Sequence, residues 1–392
     1  MTVQEAPAQD LGVDNTATIS SVVAGSAVAL LALYLGPILV GEYIAKLGVS
    51  DSQAGLIVTT EMAGFTIGSA ALFVISGMNW RMIMTIMLSF MVVGNGVLLW
   101  VDTLFPFVIS RFVAGFGAGA VMTMTIQVIA MMRDSERVYG MWTVGQLSLG
   151  AVGLLVFPSV LESGGVDTMF LIWAVLAALM FVTVRFYPTE RGNGSVQPEG
   201  SGKIVGSAVV VGAICLLGLL IHNGGHAGIW VFIELIGASW GLDPAAVGNA
   251  LFISLLAGIA GSAVAILVGD RLGHATPLVA SVVSSCTAIV ILLGSGGLFA
   301  FTVSVCLFNF GWYLFLPYLS AVIAVLDTNG KLLTALAVVF PAALAVGPAV
   351  AAVVLGNSES MLPVVIYGLV SVPVGLALVL PASNRSTRVI RG

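Results

Sequence analysis

Charged residues are scarce in this chain. Its 392 residues include 13 Lys or Arg and 18 Asp or Glu, so that only 8% are charged, whereas 59% are hydrophobic. Soluble domains carry about 25% charged residues. The scarcity excludes a water-soluble globular protein, and it predicts a chain whose solvent is mostly lipid or its own interior.

Cysteines are few, and a phosphate-binding loop is absent. Cys215, Cys286 and Cys306 all lie in apolar runs, which predicts buried free thiols and neither a disulfide framework nor a metal site. The sequence contains no Gly-Lys-Ser/Thr motif, so we do not expect ATP to drive its activity. We expect no cofactor, no catalytic residue and no nucleic-acid partner.

What the chain does contain is twelve apolar runs of roughly 20–30 residues, about the length that a helix needs to cross a bilayer. They predict an all-α polytopic membrane protein. The first six spans are Val22–Tyr43, Ser52–Ser76, Met82–Trp100, Phe105–Met131, Val138–Val160 and Met169–Phe186. The second six are Val210–Ile236, Ala245–Val268, Thr276–Gly294, Leu298–Val325, Leu332–Leu355 and Leu362–Leu380.

The basic residues alternate between the two sides of these spans. With the N-terminus in the cytoplasm, all but Lys46 and Arg111 fall in or beside cytoplasmic segments: Arg81, Arg133, Arg137, Arg185, Arg191, Lys203, Arg271, Lys331, Arg385, Arg388 and Arg391. Cytoplasmic loops carry an excess of Lys and Arg. The pattern therefore predicts a multi-pass inner-membrane protein with both termini in the cytoplasm.

The two halves of the chain resemble each other at an offset of 192 residues. Six pairs match: Glu42 with Glu234, Asp51 with Asp243, Ala54 with Ala246, Ala71 with Ala263, Gly77 with Gly269, and Gly119 with Gly311. A parallel repeat of six spans predicts two bundles related by an axis along the membrane normal, with a solute site between them. The predicted segments are a cytoplasmic tail (1–19), a first bundle (20–187), a cytoplasmic linker (188–203), a second bundle (204–382) and a second tail (383–392).

Two motifs resemble those of the major facilitator superfamily. Span four reads Arg111-Phe-Val-Ala-Gly115-Phe-Gly-Ala-Gly119-Ala120, similar to the family's R-x-x-x-G-x-x-x-G-A signature. The turn after span eight reads Gly269-Asp270-Arg271-Leu-Gly273-His274, similar to G-D-R-x-G-R, with His274 in place of the usual Arg. The resemblance covers the chain from about residue 20 and implies the twelve-helix fold of two six-helix bundles. It also implies a gating role for Asp270 and Arg271.

Polar side chains within the spans are candidate functional groups, because they are costly in a membrane. Glu61 lies about 15 Å along span two and Arg111 about 9 Å along span four, counted from the same side. A carboxylate and a guanidinium at similar depths can pair. We expect Glu61 to carry the coupled proton and Arg111 to set the affinity of Glu61 for that proton. The alternative is that the two residues form a fixed structural ion pair.

Span seven carries four more candidates at a spacing of four residues, which keeps neighbours on one helix face. They are His222, His226, Trp230 and Glu234. We assign His226 and Trp230 to solute binding, and His222 and Glu234 to proton coupling. A histidine satisfied by a backbone carbonyl is the alternative for both imidazoles, and interfacial snorkelling is the alternative for Glu234 and its repeat partner Glu42.

The remaining candidates complete a site between the bundles. The repeat places Tyr34 opposite His226, and span ten offers Asn309 and Trp312. We assign Tyr34, Arg111, His226, Trp230, Asn309 and Trp312 to solute binding, and Glu42 to an outer gate.

The predicted function is that of a secondary active transporter, a symporter that takes up a weak organic acid with protons, as a monomer. The alternative within this class is proton-driven efflux of hydrophobic or cationic compounds. A membrane-embedded enzyme and a non-transporting receptor are the alternatives from other classes. We favour neither, since the spans offer no nucleophile–base pair and the loops offer no signalling domain.

Overall fold

A computed structural model describes residues 13–75, 78–189, 206–327 and 331–391 of the chain, and these ranges are helical without a β-strand. The helices are α1 (Thr16–Leu47), α2 (Asp51–Val74), α3 (Trp80–Val97), α4 (Leu104–Ile129), α5 (Ser135–Leu179), α6 (Gly206–Ser239), α7 (Pro244–Val268), α8 (Ala275–Leu292), α9 (Gly297–Leu326), α10 (Lys331–Leu355) and α11 (Leu362–Arg391). Three 3₁₀ segments, Leu98–Trp100, Met180–Phe186 and Gly269–Leu272, extend α3, α5 and α7. All eleven α-helices supply segments that are long and apolar enough to cross a membrane.

Helix α5 supplies two of the twelve spans. Its apolar segment of 50 residues would be about 75 Å long if it were straight, more than twice the thickness of a bilayer core. Gly165 breaks it with a left-handed φ of 66°. Both far ends lie beside α1, because Arg133 donates to Asp14 through its backbone N–H (2.9 Å) and Thr18 donates to the carbonyl of Phe186 (2.9 Å). The predicted loop between spans five and six is therefore reduced to a sharp reversal at Gly165.

The two ends of the molecule can be named from these contacts. The terminal end carries the start of α1 and both far ends of α5, and the opposite end carries the reversal of α5. At the opposite end the Lys46 ammonium binds Asp102 (3.0 Å) and Asp167 (2.7 Å). Lys46 is an exception to the charge alternation, because it lies on the side predicted to face outward. Its two carboxylate partners neutralise its charge there.

Repeated loops begin α2 and α7 with similar caps. Before α2, the Ser50 hydroxyl accepts from the Gln53 N–H (3.3 Å), and the Gln53 side chain accepts from the Ser50 N–H (3.0 Å). Before α7, the Asp243 carboxylate accepts from the Ala246 N–H (2.9 Å), and Pro244 occupies the first turn. These groups satisfy N–H donors that no helical carbonyl can reach. The capping residues differ by one position in the repeat, since Asp51, the partner of Asp243, is the first residue of α2.

The glycines of span four are a packing surface. A Cβ atom on Gly115 or Gly119 would overlap the main chain of α2, and one on Gly64 or Gly68 would overlap the main chain of α4. The two backbones thus touch, and the Ser69 hydroxyl donates to the carbonyl of Gly119 (3.0 Å). Small residues that let helices approach closely are typical of membrane interfaces.

Helices α1–α5 form the first bundle and α6–α11 the second. The bundles meet where α2 contacts α10, α5 contacts α7, and α1 contacts α6. Two of the predicted segments fall largely outside the described residues: the tail 1–19 as far as residue 12, and the linker 188–203 from residue 190 onward. Helix α11 continues past the predicted end of span twelve at Leu380 to Arg391.

Candidate functional site

The bundles are joined by hydrogen bonds from side chains of both, at mid-depth and at the opposite end. The Trp230 indole N–H donates to the carbonyl of Leu33 (3.0 Å), and the Ser52 hydroxyl donates to the carbonyl of Ala352 (2.7 Å). The side chains of Tyr34 in α1 and Tyr313 in α9 also hydrogen-bond each other. We call these three contacts the bundle joint. They hold the bundles together from mid-depth to the opposite end.

The packing of α10 changes along its length. None of the residues 331–340, toward the terminal end, is buried. From Pro341 to Leu355, toward the opposite end, nine residues are buried. Because α10 is a principal contact of the first bundle, this difference indicates that the bundles part toward the terminal end.

The predicted pair of Glu61 and Arg111 forms inside the first bundle. The Arg111 Nη2 atom contacts Glu61 Oε1, and its Nη1 atom donates to Asn95 Oδ1 (2.8 Å). The guanidinium also lies over the rings of Trp173 (5.0 Å) and Phe170 (5.7 Å). Both charged side chains are almost fully buried, with 4% of Glu61 and none of Arg111 exposed.

Arg111 is therefore not brought together with the solute-binding residues to which the sequence assigned it. Its described partners come from α2, α3 and α5, all in the first bundle. A buried ion pair that is also hydrogen-bonded and stacked offsets much of the cost of burying two charges. The arrangement can hold α2, α3, α4 and α5 together, and it can hold a carboxylate ready to exchange a proton.

The two histidines of α6 lie in the core of the second bundle, fully buried. His226 Nε2 is 2.9 Å from the Ser285 hydroxyl of α8, and its Nδ1 is 3.1 Å from the carbonyl of His222. His222 Nδ1 is 3.1 Å from the carbonyl of Val372 in α11. Each imidazole therefore has a backbone carbonyl partner, as the alternative assignment from sequence expects. His222 Nε2 has no hydrogen-bond partner among the described residues.

Aromatic rings of α9 cover these histidines. The His226 ring stacks on Trp312 with centroids 5.3 Å apart, and the His222 ring stacks on Phe315 at 3.6 Å. Trp312 in turn lies 6.4 Å from Trp230 and donates through its indole N–H to Asn223 Oδ1 (2.8 Å). A continuous chain of rings therefore runs from the histidines to the bundle joint.

The structure thus brings together four of the six residues assigned to solute binding: Tyr34, His226, Trp230 and Trp312. Asn309 lies one turn before Trp312 on α9, but it donates to the Ser254 hydroxyl of α7 (2.9 Å). Its Oδ1 atom is buried and has no described partner.

The two acids of the repeat, Glu42 and Glu234, lie on facing helices at the closed end. The Glu234 carboxylate lies against Gly41 of α1, 3.1 Å from where a Cβ atom on Gly41 would be. Glu42 is the next residue along α1, and its charge acts on Glu234. The Glu234 Oε2 atom is buried without a hydrogen-bond partner among the described residues. Two like charges therefore face each other across the contact between the bundles.

Asp270 and Arg271 lie in the turn between α7 and α8, at the terminal end. Gly269 and Gly273 adopt positive φ angles of 49° and 68°, which explains the glycines of this motif. Asp270 Oδ1 is 3.1 Å from Nε2 of His274, and Arg271 is exposed. His274 therefore binds the acid of the motif from the position where the family usually has Arg.

Sequence reasoning missed several partners of the candidate residues: Asn95, Trp173, Asn223, Ser254 and Ser285. All are polar or indole-bearing residues within apolar runs. Asn95 could have been found most easily, because an amide side chain within an apolar span is costly unless it has a partner.

A cavity of about 620 Å³ lies away from these groups, between α6, α10 and α11. Its walls are apolar, and they include Ile366, Val370 and Val374, which are exposed on the outer face of the bundle. No charged side chain lines it, so we do not assign the solute to it.

The comparisons with known proteins decide the family. The sequence profile described as Major Facilitator Superfamily matches residues 17–223, which is more than half of the chain. The chain belongs to the major facilitator superfamily. It is accordingly a multi-pass membrane protein of a transporter family. No curated protein sequence matches it.

Solved transporters share the fold of this superfamily member at low sequence identity. The POT family transporter PepTSo is 12% identical, with a TM-score of 0.73 over 95% of this chain and 98% of that one. A mutant of a peptide transporter POT in complex with alafosfalin is 12% identical, with a TM-score of 0.75 over 95% and 96%. The human organic anion transporter MFSD10 (TETRAN) is 15% identical, with a TM-score of 0.65 over 93% and 99%.

Proposed function

We propose that this protein is a secondary active transporter that takes up a small organic solute, a weak organic acid, together with protons. Membership of the superfamily supports transport in general. Solved structures of the same fold include transporters described as a peptide transporter and as an organic anion transporter, whose solutes are small organic molecules. The identity of the solute and the coupling to protons are proposed from the site itself.

The observation that carries the proposal is the bundle joint. Hydrogen bonds close the two bundles at the opposite end, while α10 loses its buried packing toward the terminal end. A molecule closed on one side of a midplane site and parted on the other is one end state of alternating access. The charge alternation assigns the terminal end to the cytoplasm, so this state is inward-facing.

The proposed solute site lies beside the joint, where Tyr34, Tyr313, Trp230 and Trp312 meet. Their rings offer an apolar surface, and the hydroxyls of Tyr34 and Tyr313 keep acceptor capacity beyond the hydrogen bond that they share. Mostly apolar walls with a few polar groups are typical of small-molecule sites. His226 stacks on Trp312, and both of its ring nitrogens have partners inside the second bundle, so its role at this site is to orient the Trp312 ring. Because Arg111 is neutralised by Glu61 in the first bundle, this site supports a singly charged or neutral solute.

Proton coupling is assigned to Glu61. It is a buried carboxylate whose charge is balanced, among the described residues, by Arg111, so that a proton taken up at Glu61 leaves the charge of Arg111 uncompensated. A group whose protonation alters the balance of two conformations can couple a proton gradient to transport.

Transport in proteoliposomes tests the proposal. Purified protein is reconstituted, a pH gradient with an alkaline lumen is imposed, and the uptake of labelled aliphatic and aromatic monocarboxylates is measured against a set of hydrophobic cations. We expect one or more acids to accumulate faster than in protein-free liposomes under the same gradient, with faster acidification of the lumen reported by a pH-sensitive dye. Movement of cations in the direction opposite to that of protons would favour efflux instead. Uptake at the same rate with and without the pH gradient would contradict proton coupling.

A further inference from the structure

A small cavity of about 20 Å³ lies inside the first bundle, between α1 and the ion pair. Its polar lining consists of Glu61, Asn95 and Trp173, and its α1 wall includes Ala29 and Ala32. A site needs about 10–15 Å³ of such space and two to four polar partners to hold one water molecule. The volume therefore fits one water and excludes an organic solute.

Two polar atoms of the cavity lining lack a hydrogen-bond partner among the described residues. They are Glu61 Oε2, an acceptor, and Trp173 Nε1, a donor. Both residues are buried, with 4% of the Glu61 side chain and 5% of Trp173 exposed. Leaving such groups unsatisfied costs about 1–3 kcal/mol each. One water that donates to Glu61 and accepts from Trp173 satisfies both.

The charges around the cavity select water over a cation. Arg111 binds the other carboxylate oxygen of Glu61, so the carboxylate is already neutralised. The same guanidinium lies over the Trp173 ring, 5.0 Å from its centroid. A metal ion in the cavity would meet this positive charge at short range, where repulsion is strong.

The α1 wall of the cavity is thin. Val28 and Ala32 line the cavity and are also partly exposed, so that one layer of α1 side chains separates it from the surface of the bundle. Leu33 and Tyr34, the next residues of α1, belong to the bundle joint. The cavity therefore lies between Glu61 and the helix that meets the second bundle.

We propose that this cavity is a water site and that its water delivers protons to Glu61 from the α1 side. In the transfer, one O–H bond of the water breaks as an O–H bond forms on Glu61 Oε2, and the water oxygen regains a proton from a hydronium ion beside α1. The delivery role rests on the proton coupling proposed above, whereas the water site does not.

Infrared spectroscopy of the full-length protein in lipid tests the water site. A bound water gives an O–H stretching band that shifts when H₂¹⁶O is exchanged for H₂¹⁸O. We expect this band in the wild type and in Ala178→Leu, which adds the same bulk at an exposed position of α5. It should be lost in Ala32→Leu, which fills the cavity, and shifted in Trp173→Phe, which removes the donor. A band unchanged in both cavity variants would overturn the water site.

Transport of the same variants tests the delivery role. In proteoliposomes, Ala32→Leu should lose at least tenfold of its proton-driven accumulation while it retains solute exchange, and Ala178→Leu should keep both. Proton-driven accumulation at the wild-type rate in Ala32→Leu would overturn the delivery role. A wild type without such accumulation overturns it together with the proposed function, and the infrared band still decides the water site.

Discussion

At the scale of single residues, the buried ion pair is the most consequential feature of the first bundle. Removing one partner of such a pair costs about 3–5 kcal/mol, because the other charge is left uncompensated. Removing both charges is often neutral. The stability and the transport roles of Glu61 and Arg111 can therefore be separated.

We predict that Glu61→Gln abolishes pH-driven accumulation and leaves solute exchange partly intact, at a cost of about 3 kcal/mol in stability. The double variant Glu61→Gln/Arg111→Gln should recover most of that stability without recovering coupling. Thermal unfolding in detergent and proteoliposome uptake measure the two quantities. If both variants accumulate solute like the wild type, the pair is structural only.

His226 is the second prediction at this scale. If its imidazole orients Trp312 for the solute, His226→Ala should weaken binding by roughly tenfold or more, equivalent to about 1.4 kcal/mol. Ser285→Ala removes only the hydroxyl partner of the imidazole and should have a much smaller effect. Solute-induced thermal shifts measure both. Equal effects from the two variants would place His226 in the packing of the second bundle and outside the solute site.

The sequence could predict the ion pair but not its surroundings. Depth along the spans places Glu61 and Arg111 at similar levels, because the rise of a helix is fixed. Which neighbours they meet depends on how each helix is rotated about its axis. That rotation brings Asn95 of α3 and Trp173 of α5 into contact with the pair, and it turns Arg111 away from the second bundle. The position of an apolar run in the sequence does not encode the rotation of its helix.

At the scale of helices, the contact between α2 and α4 is made by main-chain atoms at glycine positions. A Cβ atom on Gly119 would overlap the main chain at Phe65, whereas one on Gly96 of α3 would meet nothing within 4 Å. We predict that Gly119→Ala lowers the melting temperature, while Gly96→Ala leaves it unchanged or raises it, since Ala is favoured over Gly in helices by about 1 kcal/mol. Equal melting temperatures would show that α2 and α4 can separate at little cost.

The next prediction concerns Glu42 of α1 and Glu234 of α6. Neutralising either one removes a like-charge repulsion across the closed end, so Glu42→Gln or Glu234→Gln should increase the closed population at that end. Pulsed electron resonance between spin labels at Ser163 and Ser358, exposed positions of the two bundles, measures it. Glu162→Gln, an exposed acid at the same end, is the control. Unchanged distance distributions in the two interface variants would contradict a gating role.

The helices also show where span prediction is limited. Hydropathy separates spans five and six by a polar stretch, yet the chain remains helical there and reverses at Gly165 alone. A single left-handed glycine can reverse a helix because it has no Cβ atom to clash. A residue-averaged hydropathy pattern cannot resolve so short a break.

At the scale of the whole molecule, the fold could be predicted but the closed end could not. Apolar run length and the 192-residue repeat lead to twelve helices in two bundles. In the proposed function the same sequence adopts both end states of alternating access, so it cannot indicate which end is closed. In this structure the bundles are held together by the contacts of Trp230 and Ser52.

The orientation of the molecule gives the last prediction. Of the basic residues in the described ranges, all but Lys46 and Arg111 lie toward the terminal end, and such residues are retained in the cytoplasm. Glu162 at the opposite end and Asp134 at the terminal end are both exposed acids, so they are matched positions for single cysteines. The native Cys215, Cys286 and Cys306 are first replaced by alanine.

A membrane-impermeant maleimide added to intact cells should label Glu162→Cys and miss Asp134→Cys, and it should label both after the membrane is opened. The reverse pattern would place the terminal end outside the cell, and the state with the closed joint would then be outward-facing. Because the proposed direction of transport depends on that assignment, the labelling also decides whether the parted end offers the solute to the cytoplasm or to the exterior.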